Sequence, residues 1–431
     1  MESANVETVA GCLKRAKELE ENGLAQKASL LYEKATEIDD TNADTYKVKG
    51  DFYFSQQDYE RAKTSYQKSI ERGSSLPWIR FRLGRIAQQQ DRHNEAVNYF
   101  QQAIKLDHQN LAFHQACGDS YFKQKRLAAA IAAYEQAIVL APNAPEPYQK
   151  LGEAQFSQAR FDLAKDSYEK AIALGSPAPW VRFKLGRIAQ QQNKHREAID
   201  RFTEAVSLNA KNVSFQMAYG DSCLKLKWVA EAMAAYQQAI ALNPNLAMAH
   251  QSLGATQFAQ KQLQAAKHSY QRALALGSKV PAVRFSLGQI AQEQGDLERA
   301  YRWYEEAIAL NPKNVRFHYC LGTLHAQRSE PAKARVSYTK ALDLNPSFQP
   351  ALAAIDSLAF IGGSLTDSLL TNSSVTSGAF VAQSVDSLQA MPSARKSAET
   401  ALAPSQAKIV HNPIIRFLKR LLRSFSRLLG R

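Results

Sequence analysis

Residues 77–110 read PWIRFRLGRIAQQQDRHNEAVNYFQQAIKLDHQN, and residues 179–212 read PWVRFKLGRIAQQQNKHREAIDRFTEAVSLNAKN, identical at 19 of 34 positions. The offset between them is 102 residues, three lengths of 34. Working outward, Gly84 and Gly186 belong to a run of glycines at 50, 84, 118, 152, 186, 220, 254, 288 and 322, with Ala16 in the same phase one period earlier. Twelve residues after each stands an alanine (Ala28, Ala62, Ala96, Ala130, Ala164, Ala198, Ala232, Ala266, Ala300, Ala334). Four residues further comes an aromatic (Tyr32, Tyr66, Phe100, Tyr134, Tyr168, Phe202, Tyr236, Tyr270, Tyr304, Tyr338). Three beyond that lies alanine again, Ser69 being the exception. Self-similarity at such a period marks stacked units, none of which buries its apolar face alone.

The pattern resembles the tetratricopeptide repeat, a helix-turn-helix of 34 residues with a small residue at position 8, alanine at 20, an aromatic at 24 and alanine at 27. On that numbering the repeats cover residues 9–348 and begin at 9, 43, 77, 111, 145, 179, 213, 247, 281 and 315. The resemblance implies an all-α chain, a right-handed superhelical α-solenoid of ten repeats. Small residues let helices approach closely, and the aromatic fills the space between them. Gly73, Gly175 and Gly277 are expected to end second helices, and Pro77, Pro145, Pro179 and Pro281 to open first ones. Residues 1–8 form an N-terminal extension and residues 349–361 a capping helix over the last repeat. Arg15 and Lys49 stand at position 7, normally apolar, and predict a looser or solvated N-terminal end. The adjacent segments 77–110 and 111–144 share only 8 identities, so the duplicated unit is a block of three repeats. Duplication history and a repeated binding surface explain that equally well.

At 100° per residue, positions 4, 7, 8 and 11 of a first helix share one arc and positions 2, 5, 9, 12 and 13 the opposite one. The resemblance places the second arc on a concave wall. There stand Trp78, Phe81, Arg85 and Gln88 in the third repeat and Trp180, Phe183, Arg187 and Gln190 in the sixth, while the ninth keeps Phe285. Aromatic and arginine side chains away from a packing face have the composition of an interface hot spot, and this set is the candidate partner groove. Position 9 alternates in sign, which predicts an ion-pair ladder with Arg85 between Asp51 and Asp119, and Arg187 between Glu153 and Asp221. The lysine and asparagine set by which chaperone-binding relatives clamp a carboxylate is not found.

The chain has 54 Lys+Arg against 40 Asp+Glu, and residues 362–431 hold nine of the cations with three acids, so one-sixth of the chain carries +6 of the net charge of +14 and the rest is only mildly basic. From 362 to 412 serine, threonine and alanine dominate with one aromatic, the composition of a disordered linker. Residues 413–431 then segregate by helical phase. Ile414, Ile415, Phe417, Leu418, Leu421, Leu422, Phe425, Leu428 and Leu429 fall on one side, and Arg416, Lys419, Arg420, Arg423, Arg427 and Arg431 on the other. A basic amphipathic helix of this kind reads as an in-plane anchor on an anionic membrane surface. Docking on a partner groove is the second reading, and a cationic nucleic-acid tail is disfavoured because phosphate binding has no use for the bulky apolar face.

No phosphate-binding, dinucleotide, zincin or nucleophile-elbow motif occurs. His114, His250 and His318 repeat at position 4 and His93 and His195 at position 17, which assigns them to packing and not to metal. Four cysteines lie far apart with no pair at metal-ligand spacing, and no apolar run is long enough to span a bilayer. The expectation is a cytoplasmic, non-enzymatic scaffold, peripheral on the inner membrane face. It needs no cofactor, metal or small-molecule substrate, and binds a protein or peptide client in the groove. The alternative is an accessory subunit presenting substrates to a separately encoded enzyme such as a glycosyltransferase, its tail docked on a partner protein.

Overall fold

A computed structural model describes residues 8–367, with side chains through 358. The linker from 368 to 412 and the amphipathic segment at 413–431 lie outside the described residues. Among those described there are 21 helices and no strand. The first three pairs are α1 (Val9–Glu21) with α2 (Ala25–Ile38), α3 (Ala43–Ser55) with α4 (Tyr59–Glu71), and α5 (Pro77–Gln89) with α6 (His93–Leu106). Next come α7 (Leu111–Lys123) with α8 (Leu127–Leu140), α9 (Pro145–Ser157) with α10 (Phe161–Ala173), and α11 (Pro179–Gln191) with α12 (His195–Leu208). The set is completed by α13 (Val213–Lys225) with α14 (Val229–Leu242), α15 (Ala247–Ala259) with α16 (Leu263–Ala275), α17 (Pro281–Glu293) with α18 (Leu297–Leu310), and α19 (Val315–Gln327) with α20 (Pro331–Leu344). Each pair packs on itself and on the next, the arrangement of a helical solenoid.

The periodic residues make those contacts. All ten alanines at position 20, and every residue at position 27, are fully buried. Ser69, the exception, donates its hydroxyl to the carbonyl of Ala43 at 2.7 Å, so its polar atom is satisfied. The aromatic ring of position 24 lies flat against the glycine of position 8: a Cβ on Gly84 would sit 2.4 Å from Phe100, and one on Gly118 2.5 Å from Tyr134. The proline and glycine signals hold, since α5, α9, α11 and α17 begin at their prolines. Gly73, Gly175 and Gly277 adopt φ of +93°, +86° and +84° just past α4, α10 and α16. Those three helices have 13 residues where most other second helices have 14, and a longer linker follows each. In four other repeats asparagine starts the first helix: Asn42, Asn110, Asn212 and Asn314 accept backbone N–H groups of the first turn.

One arrangement recurs at position 4. His114, His250 and His318 each place Nε2 at 2.8–3.1 Å from the carbonyl six residues earlier, tying the helix start to the preceding loop. At the longer linkers arginine takes over: Arg182 and Arg284 donate to the carbonyls of Ser176 and Ser278 at 3.1 and 3.2 Å. Of the two position-7 cations, Arg15 stays half in solvent beside Glu18, but Lys49 corrects the expectation of a solvated side chain. Its ammonium is enclosed, paired with Glu33 and bonded to Thr36 at 3.2 Å, while Tyr53 donates to the same Glu33 at 2.6 Å. Burial alone would push the Glu33 carboxyl up, but the hydrogen bonds from Lys49 and Tyr53 outweigh it and hold it below the ordinary range. At the far end α21 (Gln349–Asp367) sets Ala351, Ala354, Ile355 and Leu358 against the last repeat and runs six residues beyond 361.

Candidate partner-binding groove

Along the wall of first helices, direct contacts join α5 with α7, α11 with α13 and α15 with α17. The residues of the candidate groove stand on it in two repeated clusters. In the first, Phe81 lies between Phe100 of its own repeat (5.6 Å between centroids) and Phe113 of the next (5.1 Å). Trp78 meets Phe81 and Phe113 edge-on at 4.9 and 5.3 Å yet keeps 49% of its surface exposed. In the second, Phe183 sits between Phe202 (5.5 Å) and Phe215 (4.9 Å), and Trp180, 36% exposed, meets Tyr168 edge-on. Phe285 has the same neighbours one block later, Tyr304 and Phe317, but is buried. The phenylalanines thus weld each repeat to its successor, and the tryptophans are the rings presented to solvent.

Gln88 and Gln190 also face the next repeat. Gln88 Nε2 donates to the Ala116 carbonyl (3.1 Å) and Ser120 Oγ (2.8 Å), and Gln190 Nε2 to the Ala218 carbonyl (3.1 Å) and Ser222 Oγ (2.7 Å). Their Oε1 atoms accept from Arg85 and Arg187 at 3.3 and 3.0 Å. The expected arginine ladder does not form. Among the described residues neither Arg85 nor Arg187 is in an ion pair. The acids of position 9 are turned instead toward the tyrosine of position 24: Tyr66 donates to Asp51 (2.7 Å), Tyr134 to Asp119, Tyr168 to Glu153 and Tyr236 to Asp221 (2.8–2.9 Å). Burial and then the facing carboxylate raise all four phenols far above their ordinary value. Lysine from position 6 of the following repeat completes two of these sites, Lys150 on Asp119 at 2.8 Å and Lys184 on Glu153 at 2.9 Å.

A small cleft of about 280 Å³ opens where the longer linker separates the second and third repeats, lined by Lys47, Asp51, Tyr66, Leu76, Trp78 and Arg82. The larger concavity, about 960 Å³, lies at the array's end beside α20 and α21, remote from the aromatic clusters. Among the described residues no group of three His, Cys, Asp or Glu side chains could hold a metal ion. None of their helices is long and apolar enough to cross a membrane.

Models of the tetratricopeptide repeat match residues 41–109, 145–174 and 183–247, and a further model described as TPR repeat matches 118–159 and 288–329. The chain belongs to the tetratricopeptide repeat family. No match is found among the curated proteins. Among solved structures, this tetratricopeptide array is similar to the C-terminal part of a TPR repeat-containing protein from Cytophaga hutchinsonii (17% identity, 55% of this chain and 97% of that one, TM-score 0.48). PilF of Pseudomonas aeruginosa (18%, 48% and 94%, TM-score 0.42) and MamA from Desulfovibrio magneticus RS-1 (19%, 40% and 97%, TM-score 0.38) are also similar to it.

Proposed function

We propose that the chain is a non-enzymatic cytoplasmic scaffold that binds a protein or peptide along the wall of first helices. One observation carries the reading. All ten aromatics of position 24 are at most 3% exposed, whereas Trp78 and Trp180 on that wall keep 49% and 36% of their surface in water. An indole held rigidly by neighbouring rings but left uncovered loses little conformational freedom on binding and brings a large apolar area to a partner. Trp78 and Trp180 are the anchors of this surface, Arg85 and Arg187 its polar contacts. Phe81, Phe183 and Phe285, with Gln88 and Gln190, hold the anchors in place.

Residues 413–431, outside the described residues, supply membrane recruitment in this reading: nine apolar and six cationic side chains on opposite arcs suit an anionic headgroup layer. A two-armed experiment tests both parts. Proteins crosslinked to the full chain in cells are compared between wild type and Trp78→Ala with Trp180→Ala. Each truncation is expected to cost about 2 kcal/mol of binding with melting little changed, so that crosslinked partners are depleted. Retention of every partner by a folded double variant moves the binding surface elsewhere. In the second arm, Leu421→Glu with Leu422→Glu should release the full chain from vesicles containing anionic lipid, and unchanged co-sedimentation overturns the anchor.

A further inference from the structure

The two exposed tryptophans do not stand alone. Two helical turns along the same face, Trp78 is followed by Arg85 and Trp180 by Arg187, each arginine at position 9 of its repeat. Where position 24 is tyrosine with an acid at position 9, the hydroxyl holds that acid; in these two repeats position 24 is Phe100 or Phe202, and the hydroxyl is absent. The guanidinium is instead braced from the neighbouring repeat. Arg85 donates to Gln88, itself held by Ala116 and Ser120, and Arg187 donates to Gln190, held by Ala218 and Ser222. Each repeat therefore presents an uncovered indole and an arginine with no carboxylate partner, both positioned in advance. The third copy of the block has lost the device, with Ala282 for tryptophan and Gln289 for arginine, and Gln292 bonds Gln327 instead.

We infer that the wall carries two related stations, three repeats apart, which together take one extended protein segment bearing two acidic–apolar motifs. This rests on the wall being the binding surface. The acidic character follows from the unpaired guanidiniums, which a carboxylate would satisfy through a charge-assisted bidentate contact. The apolar residue follows from the indoles. Asp51, Asp119, Glu153 and Asp221 occupy the same helical position in the repeats before and after, so a continuous polyanion is opposed along its length, whereas a segment whose carboxylates fall only at the two arginines is not. Two motifs follow from the 102-residue repetition of the exposed indole and the braced arginine, although Trp78 packs on Phe81 and Phe113 and Trp180 on Tyr168 of the preceding repeat. With about 8–10 Å between successive packed helices, three repeats separate the stations by roughly 25–30 Å, a span that a flexible linker of about 25 residues matches.

The test uses the full chain and synthetic fluorescein-labelled peptides read by anisotropy. One probe carries two Glu-Glu-Phe-Leu blocks on a Gly-Ser linker of about 25 residues, and a second carries one block. The two-block probe should bind about 100-fold tighter than the one-block probe. Arg85→Gln or Arg187→Gln, each with wild-type melting, should reduce that advantage to less than tenfold. A two-block probe that binds no tighter than one block overturns the paired stations. So do equal binding of a Lys-Lys-Phe-Leu probe and displacement of the acidic probe by single-stranded RNA. Loss of crosslinked partners from Trp78→Ala with Trp180→Ala, alongside equal binding of the two probes, would leave the wall as binding surface and remove only the pairing. Retention of those partners would remove the wall itself.

Discussion

A single phenolic oxygen sorts six of the ten first helices into two kinds. Asp51, Asp119, Glu153 and Asp221 each accept a hydroxyl from the tyrosine of their own repeat, and Arg85 and Arg187 occur only where that residue is phenylalanine. The rule was present in the sequence, as two columns fifteen residues apart. Reading position 9 down the array hid it, because neighbouring repeats looked like the partners of an alternating ladder. The coupling is measurable by a double-mutant cycle. Phe100→Tyr alone brings a buried hydroxyl to Arg85, where no acid receives it, and should cost about 1–3 kcal/mol. Adding Arg85→Asp recreates the arrangement of the fourth repeat and should recover at least about 1 kcal/mol of that loss in urea unfolding. Strict additivity would show that the two positions do not meet.

At the scale of the helix pair, the turn inside each repeat was invisible in the residue pattern. Every repeat places position 15 in the left-handed region, yet glycine occupies it only at Gly23 and Gly295; elsewhere it is Gln57, Asp91, Lys125, Ala159, Asn193, Lys227, Lys261 or Ser329, with φ of 55–61°. Paired bonds force it. In the fourth repeat Arg126 N–H reaches the Tyr121 carbonyl (3.0 Å) and Lys125 N–H the Phe122 carbonyl (2.9 Å), the motif by which a helix ends and the chain reverses. Turn composition could not reveal this, because the close packing of the two helices imposes the conformation on residues that disfavour it. Ala159→Gly relieves the strain and should stabilise the chain by about 0.5–1 kcal/mol, the left-handed penalty less the added entropy of the unfolded chain. A lowered melting temperature would contradict that account.

At the scale of the molecule, the array encloses many protonated phenols and thiols. Burial pushes Cys117 and Cys320 up to about 11 and Cys223 and Tyr338 up to about 12. The phenols of Tyr66, Tyr134, Tyr168 and Tyr236 are raised further, burial coming first and the facing carboxylate second. Above about pH 9 these groups ionise in the unfolded chain and stay protonated in the folded one, so the unfolded state binds fewer protons and stability falls as pH rises. The contribution is fully present below about pH 8.5 and is lost as pH climbs toward the raised values of the folded thiols and phenols. Urea midpoints should be level between about pH 7 and 8.5 and then decline steadily. A midpoint that holds to about pH 11 would mean that the thiols and phenols are less enclosed than the packing shows.

Repeat number, helix order and the packed positions were all legible in the residue pattern, because each repeat must offer the same small residues to the same neighbour and any departure would open a gap. The partners of the polar side chains were not legible. Asp119 is as close in sequence to Lys123 as to Gln115, yet its ion pair is with Lys150 and its hydroxyl donor is Tyr134. Likewise Gln88 and Gln190, expected to face a client, donate across the interface to the following repeat. Periodicity determines which face of a helix is buried, but an ion or amide near that boundary chooses among several partners by distance and direction, which exist only once the helices are stacked.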